Sequence, residues 1–335
     1  MFAVTFARPG DSDVLDWTSA TLESPGDGDV VIDVVAAGIN NADLLQRRGH
    51  YRVPAGASPV LGLEVSGVIA WVGADVVGWS VGDPVCALLA GGGYAEQVVV
   101  SADQLLPVPD GVALTDAAAL PEAACTVYSN LAMTARLRAG QTLLVHGGGS
   151  GIGTMAIQWA KAIGATVIVT AGSAGKLERC LELGADVAVD YRNDDFVERT
   201  KSVTGGRGAD VILDIVGADY LDRNLDTLAA DGHLVVIGST GSAQPPRLDL
   251  GALMAKRATI SATTLRARPH EQKAAIIAEV TRNVWPLLDS GRIRPVVDAV
   301  FPMDHAAEGH DLLAAGGAFG KVLLTPPRHL LRSET

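Results

Sequence analysis

The residues His146-Gly-Gly-Gly-Ser-Gly-Ile-Gly153 lie between an apolar run, Thr142 to Gly147, and a helix-forming stretch, Thr154 to Gly164. A strand, a glycine turn and a helix in this order suit a diphosphate. Backbone N–H groups and the positive end of a helix must approach the anion, and a Cβ in the turn would block them. The spacing Gly151-x-Gly153-x-x-Ala156 also satisfies the GxGxxA pattern of a dinucleotide turn. A merely flexible loop does not account for the strand–helix alternation on both sides, so the turn is read as a dinucleotide site.

The stretch Val169-Thr-Ala-Gly-Ser-Ala-Gly-Lys176 bears on which dinucleotide. An NAD-binding fold places an acid at the end of its second strand, where it accepts from the ribose hydroxyls and repels a 2′-phosphate. Here that position holds Ala171-Gly172-Ser173, with Lys176 one helical turn on and Tyr191 ending the next strand. A hydroxyl, free N–H groups at a helix start and an ammonium suit a phosphate. One charge-assisted bond, roughly 1.5–3 kcal/mol, gives about ten- to hundredfold preference. NADP(H) is therefore the predicted cofactor. The alternative makes Ser173 only a helix cap and Lys176 only a solvated helix residue.

These groups need a scaffold, and the 335 residues have room for roughly two domains. Up to about residue 120, short apolar runs broken by Gly, Pro and Asp suggest a strand-rich, barrel-like domain; examples are 2–7, 29–38, 65–73, 83–89 and 94–100. From about 125, near-continuous Val/Ile/Leu runs (142–147, 165–170, 187–191, 210–217, 233–239, 258–265) alternate with helical stretches, which predicts a parallel sheet covered on both faces. The tail returns to mixed structure and ends in the strand KVLLT, 321–325. The α/β unit is thus expected as an insertion, with 125–265 bracketed by 1–124 and 266–335.

The net charge of -12 argues against broad nucleic-acid or anionic-membrane binding. The three cysteines, Cys86, Cys125 and Cys180, are far apart and form no CxxC pair, as in a reduced cytosolic protein. Neither a signal peptide nor a membrane span is read from the sequence, and the expected compartment is the cytoplasm. The seven histidines suggest no metal-ligand set; His305 and His310, five apart, are expected as surface or capping residues.

At 36–51 (AAGINNADLLQRRGHY), 59–73 (PVLGLEVSGVIAWVG), 120–131 (LPEAACTVYSNL), the turn and 317–324 (GAFGKVLL), the chain resembles the medium-chain dehydrogenases/reductases. It is most similar there to their zinc-free quinone oxidoreductase branch, which includes zeta-crystallin, and within it to the vertebrate enzymes induced by a tumour suppressor. The resemblance runs over about residues 1–326. It implies a GroES-like catalytic domain interrupted by a Rossmann domain. Zinc-dependent members carry Cys where this chain has Asn40 and Gly-His-Glu where it has Gly62-Leu63-Glu64, and the four-cysteine structural lobe is absent. The resemblance implies Gly148, Gly151 and Gly153 at the diphosphate and Ser173, Lys176 and Tyr191 at the 2′-phosphate, with Ile152 and Gly172 also binding the cofactor. Near the nicotinamide it implies Asn40, Tyr51, Thr126, Ser150, Leu265, Phe319 and Lys321.

The expected reaction is hydride transfer from NADPH to a quinone or enone, with Tyr51 donating to the acceptor oxygen and Asn40 and Ser150 orienting the reactants. Tyr51 as only an aromatic wall, and Lys321 as only a strand-start lysine with its head in solvent, stand beside those roles. Arg47 and Arg48 are either surface residues or attractors of acidic acceptors. The rival functions are an enoyl-thioester or alkenal reductase and a non-catalytic NADPH-binding protein. A homodimer is expected through the sheet edge at 233–265.

Overall fold

In the computed structural model, which describes residues 1–239 and 247–327, the apolar runs of the first third become strands. They are β1 (Phe2–Thr5), β2 (Asp16–Ser19), β3 (Asp29–Gly38), β4 (Glu64–Val72), β5 (Pro84–Leu88), β6 (Gln97–Ser101) and β7 (Leu105–Pro107). Helix α1 (Asn41–Arg47) follows β3, and α2 (Leu114–Ala117) and α3 (Pro121–Val127) follow β7. Valine and isoleucine dominate β3 and β4, where branched side chains fit a pleated surface. Val30, Ile32, Val65, Ile69 and Val85 pack into one core cluster.

The next strands are β8 (Thr142–His146), β9 (Thr166–Ala171), β10 (Val187–Asp190), β11 (Ala209–Asp214), β12 (Leu228–Val236) and β13 (Thr259–Ala262). Between them lie α4 (Gly151–Ala162), α5 (Ala174–Glu182), α6 (Phe196–Val203), α7 (Leu221–Thr227) and α8 (Leu250–Lys256). All pair in parallel, in the order β10-β9-β8-β11-β12-β13. Every residue of β8 is buried, as a strand covered on both faces requires. The chain winds outward from β8 in one direction and returns through β11 in the other. The crevice at such a reversal, at the carboxyl ends of the strands, is where open α/β sheets bind ligands.

The tail supplies α9 (His270–Asn283), α10 (Trp285–Asp289), β14 (Val297–Pro302), α11 (Ala306–Ala314) and β15 (Lys321–Thr325). β15 pairs antiparallel with β3, Leu323 opposite Gly38, so the tail completes the first sheet in the order β14-β15-β3-β4-β5-β7, with β6 also on β3. One compact unit is thus Met1–Ala123 with Arg266–Asp289 and Arg294–Thr335; the other is Ala124–Leu265 with Ser290–Ile293. The stretch from 328 to 335, placed by sequence in the first domain, lies outside the described residues. The fold is α/β, a strand-rich unit split by a doubly wound parallel sheet, as expected. No helix among the described residues is long and apolar enough to cross a membrane.

One expectation is corrected here. His305 is exposed and precedes α11, bonding Glu308, but His310 is fully buried. Its Nε2 meets the Tyr94 hydroxyl at 3.3 Å and its Nδ1 meets Arg47 at 3.4 Å. Burial, with Arg47 next, drives its pKa down to about 3, so it stays neutral. Arg47 itself is buried, while Arg48 is exposed.

Candidate active site

In the parallel-sheet unit, β8 ends at His146 and α4 starts at Gly151, leaving the glycine turn between them. Ser150 is the helix cap: its hydroxyl accepts from Gly153 N at 3.0 Å and donates to Gly147 O at 2.8 Å. Gly147 has a φ of +75°, open to glycine at no steric cost. A Cβ on Gly153 would overlap the carbonyl oxygens of Gly147 and Gly148, and one on Gly148 would lie 2.7 Å from Val169 Cβ. The turn is therefore shaped by backbone approach, which a dinucleotide diphosphate needs, and these residues fit that group.

A buried polar string holds the turn from beneath. Gly147 N donates to Thr170 Oγ1 at 3.3 Å and Gly148 N to Thr170 O at 2.9 Å. His146 joins Thr170 Oγ1 at 3.1 Å and Asn224 Oδ1 at 2.8 Å. Asn224 Nδ2 donates to Asp214, whose carboxylate also accepts from Val216 N and Gly217 N. With Asn224 oxygen facing the ring, His146 donates through Nε2 and accepts the Thr170 hydroxyl through Nδ1. Burial pushes its pKa down to about 4, which keeps that pattern at neutral pH.

At the end of β9, Ser173 occupies the cap position of α5, but its side chain makes no cap bond. Tyr191 N donates to Ala171 O, and the Tyr191 ring lies so close to Gly172 that a Cβ there would sit 2.6 Å from its hydroxyl. Gly172, Ser173, Lys176 and Tyr191 thus gather around one strand end. Thr126 and Leu265 are buried; the Thr126 carbonyl accepts from Asn130, whose Oδ1 bonds the hydroxyl of Thr263, two residues before Leu265.

In the strand-rich unit, Glu64 is wholly buried. Its Oε1 lies 2.5 Å from Lys321 Nζ and accepts from Asn40 Nδ2 at 2.9 Å, while its Oε2 accepts from Glu122 N at 2.8 Å. Lys321 also donates to Asn40 Oδ1 at 2.7 Å and Ile39 O at 3.1 Å, so its three N–H bonds all have acceptors. The strand-start lysine therefore does not reach solvent; only 6% of its side chain is exposed. Both oxygens of Glu64 are engaged.

Two further acids meet this knot, and Tyr51 and Arg266 form a pair of their own. Buried Asp43 accepts from Asn40 N, Gly62 N and the Tyr94 hydroxyl, and burial lifts its pKa to about 6. Glu122 is partly exposed as a residue, yet its Oε2 is buried without a hydrogen-bond partner. Burial first, and the Glu64 charge second, push this carboxyl up to about 8. Tyr51 is half-buried, with the Arg266 guanidinium 5.4 Å from its ring centroid. Arg266 Nε donates to Ala90 O at 2.8 Å. Phe319 is buried two residues before Lys321.

Of the expected residues, the structure joins Asn40 to Lys321, and the glycine turn to the β9 end. Sequence reasoning passed over Glu64 as a functional residue, along with Glu122, Arg266, His146 and Asn224. The signals that could have found them were an acid starting an otherwise apolar strand and a histidine immediately before the glycine turn.

Two outcomes test this description. Lys321→Met leaves a buried carboxylate unpaired and should destabilise the protein by about 3–5 kcal/mol in urea unfolding, with Glu64→Gln added to it recovering part of the loss. Glu122 is held protonated in the folded state to about pH 8 against an ordinary value of 4.5. Its contribution to stability is full below 4.5 and is lost as pH rises toward 8. Glu122→Gln should therefore flatten the decline in stability between pH 5 and 8, read from melts across that range.

Residues 151–282 match the family described as zinc-binding dehydrogenase, and residues 26–110 the alcohol dehydrogenase GroES-like domain. Quinone oxidoreductase 1 of Escherichia coli is 32% identical over 326 residues, covering 96% of this chain and 99% of that protein. The 2-haloacrylate reductase of a Burkholderia species is 30% identical, covering 97% and 99%. A phenolphthiocerol/phthiocerol polyketide synthase of Mycobacterium tuberculosis is 31% identical, but this chain spans only 15% of its length. Among solved structures, the Escherichia coli quinone oxidoreductase complexed with NADPH superposes with a TM-score of 0.86 at 31% identity, over 97% of this chain and all of that one. The CurK enoyl reductase gives 0.86 at 25% identity, over 97% and 99%. With such identity over nearly the whole length of the relatives of similar size, the chain belongs to the quinone-oxidoreductase-like medium-chain dehydrogenases/reductases.

Proposed function

We propose that this chain is a zinc-independent, NADPH-dependent reductase whose acceptor is a quinone or a similarly conjugated carbonyl compound. The observation that carries the reading is a backbone-shaped diphosphate turn beside a β9 end that offers Gly172, Ser173 and Lys176 and no carboxylate. The turn, with Gly148, Ser150, Gly151, Ile152 and Gly153, binds the diphosphate; Ser173 and Lys176 bind the 2′-phosphate, with Tyr191 against Gly172. Thr126, Leu265, Asn40, Phe319 and Lys321 are assigned to the nicotinamide end. When bound, the reduced nicotinamide supplies a hydride.

The chain's own residues position the acceptor and stabilise the negative charge that develops on its oxygen. Tyr51 is the assigned hydrogen-bond donor. The Ser150 hydroxyl is committed within the turn and the Asn40 amide to Glu64 and Lys321, so both act by holding their surroundings in place. Zinc-independence is supported by the ligand positions, where an amide, a leucine and a fully engaged glutamate stand. The remaining parts of the reading are a cytoplasmic homodimer paired through β13, the edge strand of its sheet, and the narrower likeness to the tumour-suppressor-induced branch.

The second reading is an enoyl-thioester or alkenal reductase, favoured by the likeness to CurK and to the 2-haloacrylate reductase. Buried Arg47 offers nothing to a pantetheine phosphate, which leaves exposed Arg48 as its local support.

Purified protein should consume NADPH with an ortho- or para-quinone faster than with an alkenal or enoyl thioester; the reverse order selects the second reading. NADPH binding without any turnover leaves a binding protein. Lys176→Ala should lower the NADPH-to-NADH preference in kcat/KM by about tenfold or more. An unchanged ratio removes Lys176 from the phosphate site.

A further inference from the structure

The strand-rich unit holds a cavity of about 260 Å³ that none of these roles uses. Val60, Leu89 and Val98 give it an apolar side, and Ser58, Gln104 and Lys273 a polar one. Lys273 is only 8% exposed, and among the described residues no hydrogen bond or ion pair engages its ammonium. Gln104 is also more than nine-tenths buried, and its Oε1 has no partner. A lysine largely withdrawn from the surface, on a cavity wall and without a salt-bridge partner, favours an occupant that pairs with it.

The charge around the cavity selects the kind of occupant. Lys273 stands in the first turn of α9, at the helix's positive end, where a cation is placed against the helix dipole. Pro269, the cap of that helix, supplies no side-chain acceptor. Arg266 is a second buried cation nearby: its Nε holds the carbonyl of Ala90, which lines the cavity, and its two terminal nitrogens are buried without partners. The acids around them do not cancel this charge. Asp103 accepts a hydrogen bond from Gln104 and meets His270, Glu122 is protonated to about pH 8, and Glu23 is exposed. In a chain of net charge -12, Lys273 is the lysine or arginine that lines this cavity among the described residues.

We propose that this cavity receives the carboxylate-bearing end of the acceptor, with Lys273 as its ion-pair partner and Arg266 adding positive potential from behind. This rests on the reading that Tyr51 faces the acceptor, because the Arg266 guanidinium links the cavity wall at Ala90 to the Tyr51 ring. The substrate class is thereby narrowed to conjugated carbonyl compounds that carry a carboxylate on an apolar body. Lys273 acts by binding and takes no part in hydride transfer.

The test separates binding from turnover. With the protein saturated with NADP⁺, calorimetric titration of 4-oxo-4-phenylbutanoate and of its methyl ester should give tighter binding of the acid. Lys273→Met should weaken the acid by about ten- to hundredfold and leave the ester unchanged, and Lys273→Arg should keep most of the acid's affinity. Retained NADP⁺ binding shows that each variant is folded. Equal affinity of acid and ester for the unaltered protein, or equal weakening of both by Lys273→Met, overturns the proposal. NADPH consumption with the unsaturated counterpart, 4-oxo-4-phenylbut-2-enoate, reports on the reductase reading, so the two can fail separately.

Discussion

A full negative charge with no access to water has to be met inside the protein, and Glu64 meets it with Lys321 and Asn40. The desolvation of two ions is offset only when geometry is close and the remaining protons find acceptors. Here they do: the ammonium has Glu64, Asn40 and the Ile39 carbonyl, and the carboxylate has Lys321, Asn40 and the Glu122 N–H. The knot also fixes chain topology. It joins β4, the β3–α1 junction and β15, so the tail that returns after the parallel sheet is held to the strands that preceded it. A Cβ on Gly38 would strike the Glu64 carboxyl, so even the glycine ending β3 belongs to the arrangement.

The parallel-sheet unit holds its own buried carboxylate, Asp214, without a cation, through a string of hydrogen bonds from neutral groups. Asp214, Asn224, His146 and Thr170 pass hydrogen bonds in one direction until the last acceptor receives Gly147 N. Each donor in that string has one acceptor, so the register of the turn is specified beneath the surface that would face a diphosphate. Ile215, next to Asp214, packs so near Gly147 that a side chain there would collide with it. The glycines keep the upper side of the turn open while the polar string holds its lower side.

Local pattern makes much of this legible in the sequence. The Val/Ile/Leu runs, the glycine turn between strand and helix, and the insertion of one unit in another are written in contiguous segments, where period and turn chemistry suffice. The side-chain partnerships are not. Lys321 and Asn40 are 281 positions apart, and nothing near either residue announces the other; a lysine opening a strand reads as solvated unless the buried acid is known. His310 reads as a surface residue for the same reason: spacing along its own helix says nothing of Tyr94 and Arg47 on other elements. Glu122, in the first turn of α3, and Arg266, outside any helix or strand, stand near the points in sequence where the chain passes between the units. Local period says nothing of the groups they meet.

The same accounting of donors narrows the chemistry we propose. A metal could polarise a carbonyl as a Lewis acid, whereas the ammonium of Lys321 has its three N–H bonds already taken. The Asn40 amide gives one hydrogen to Glu64 and turns the other toward Gly38 O at 3.4 Å. Ser150 spends its proton on Gly147 O. Of the three side chains assigned to the reaction, Tyr51 is the one we place against the acceptor oxygen. A single neutral donor stabilises a charge far less than a metal ion does. The acceptors that can be reduced under that constraint are those that spread the incoming charge themselves, as quinones and conjugated carbonyls do.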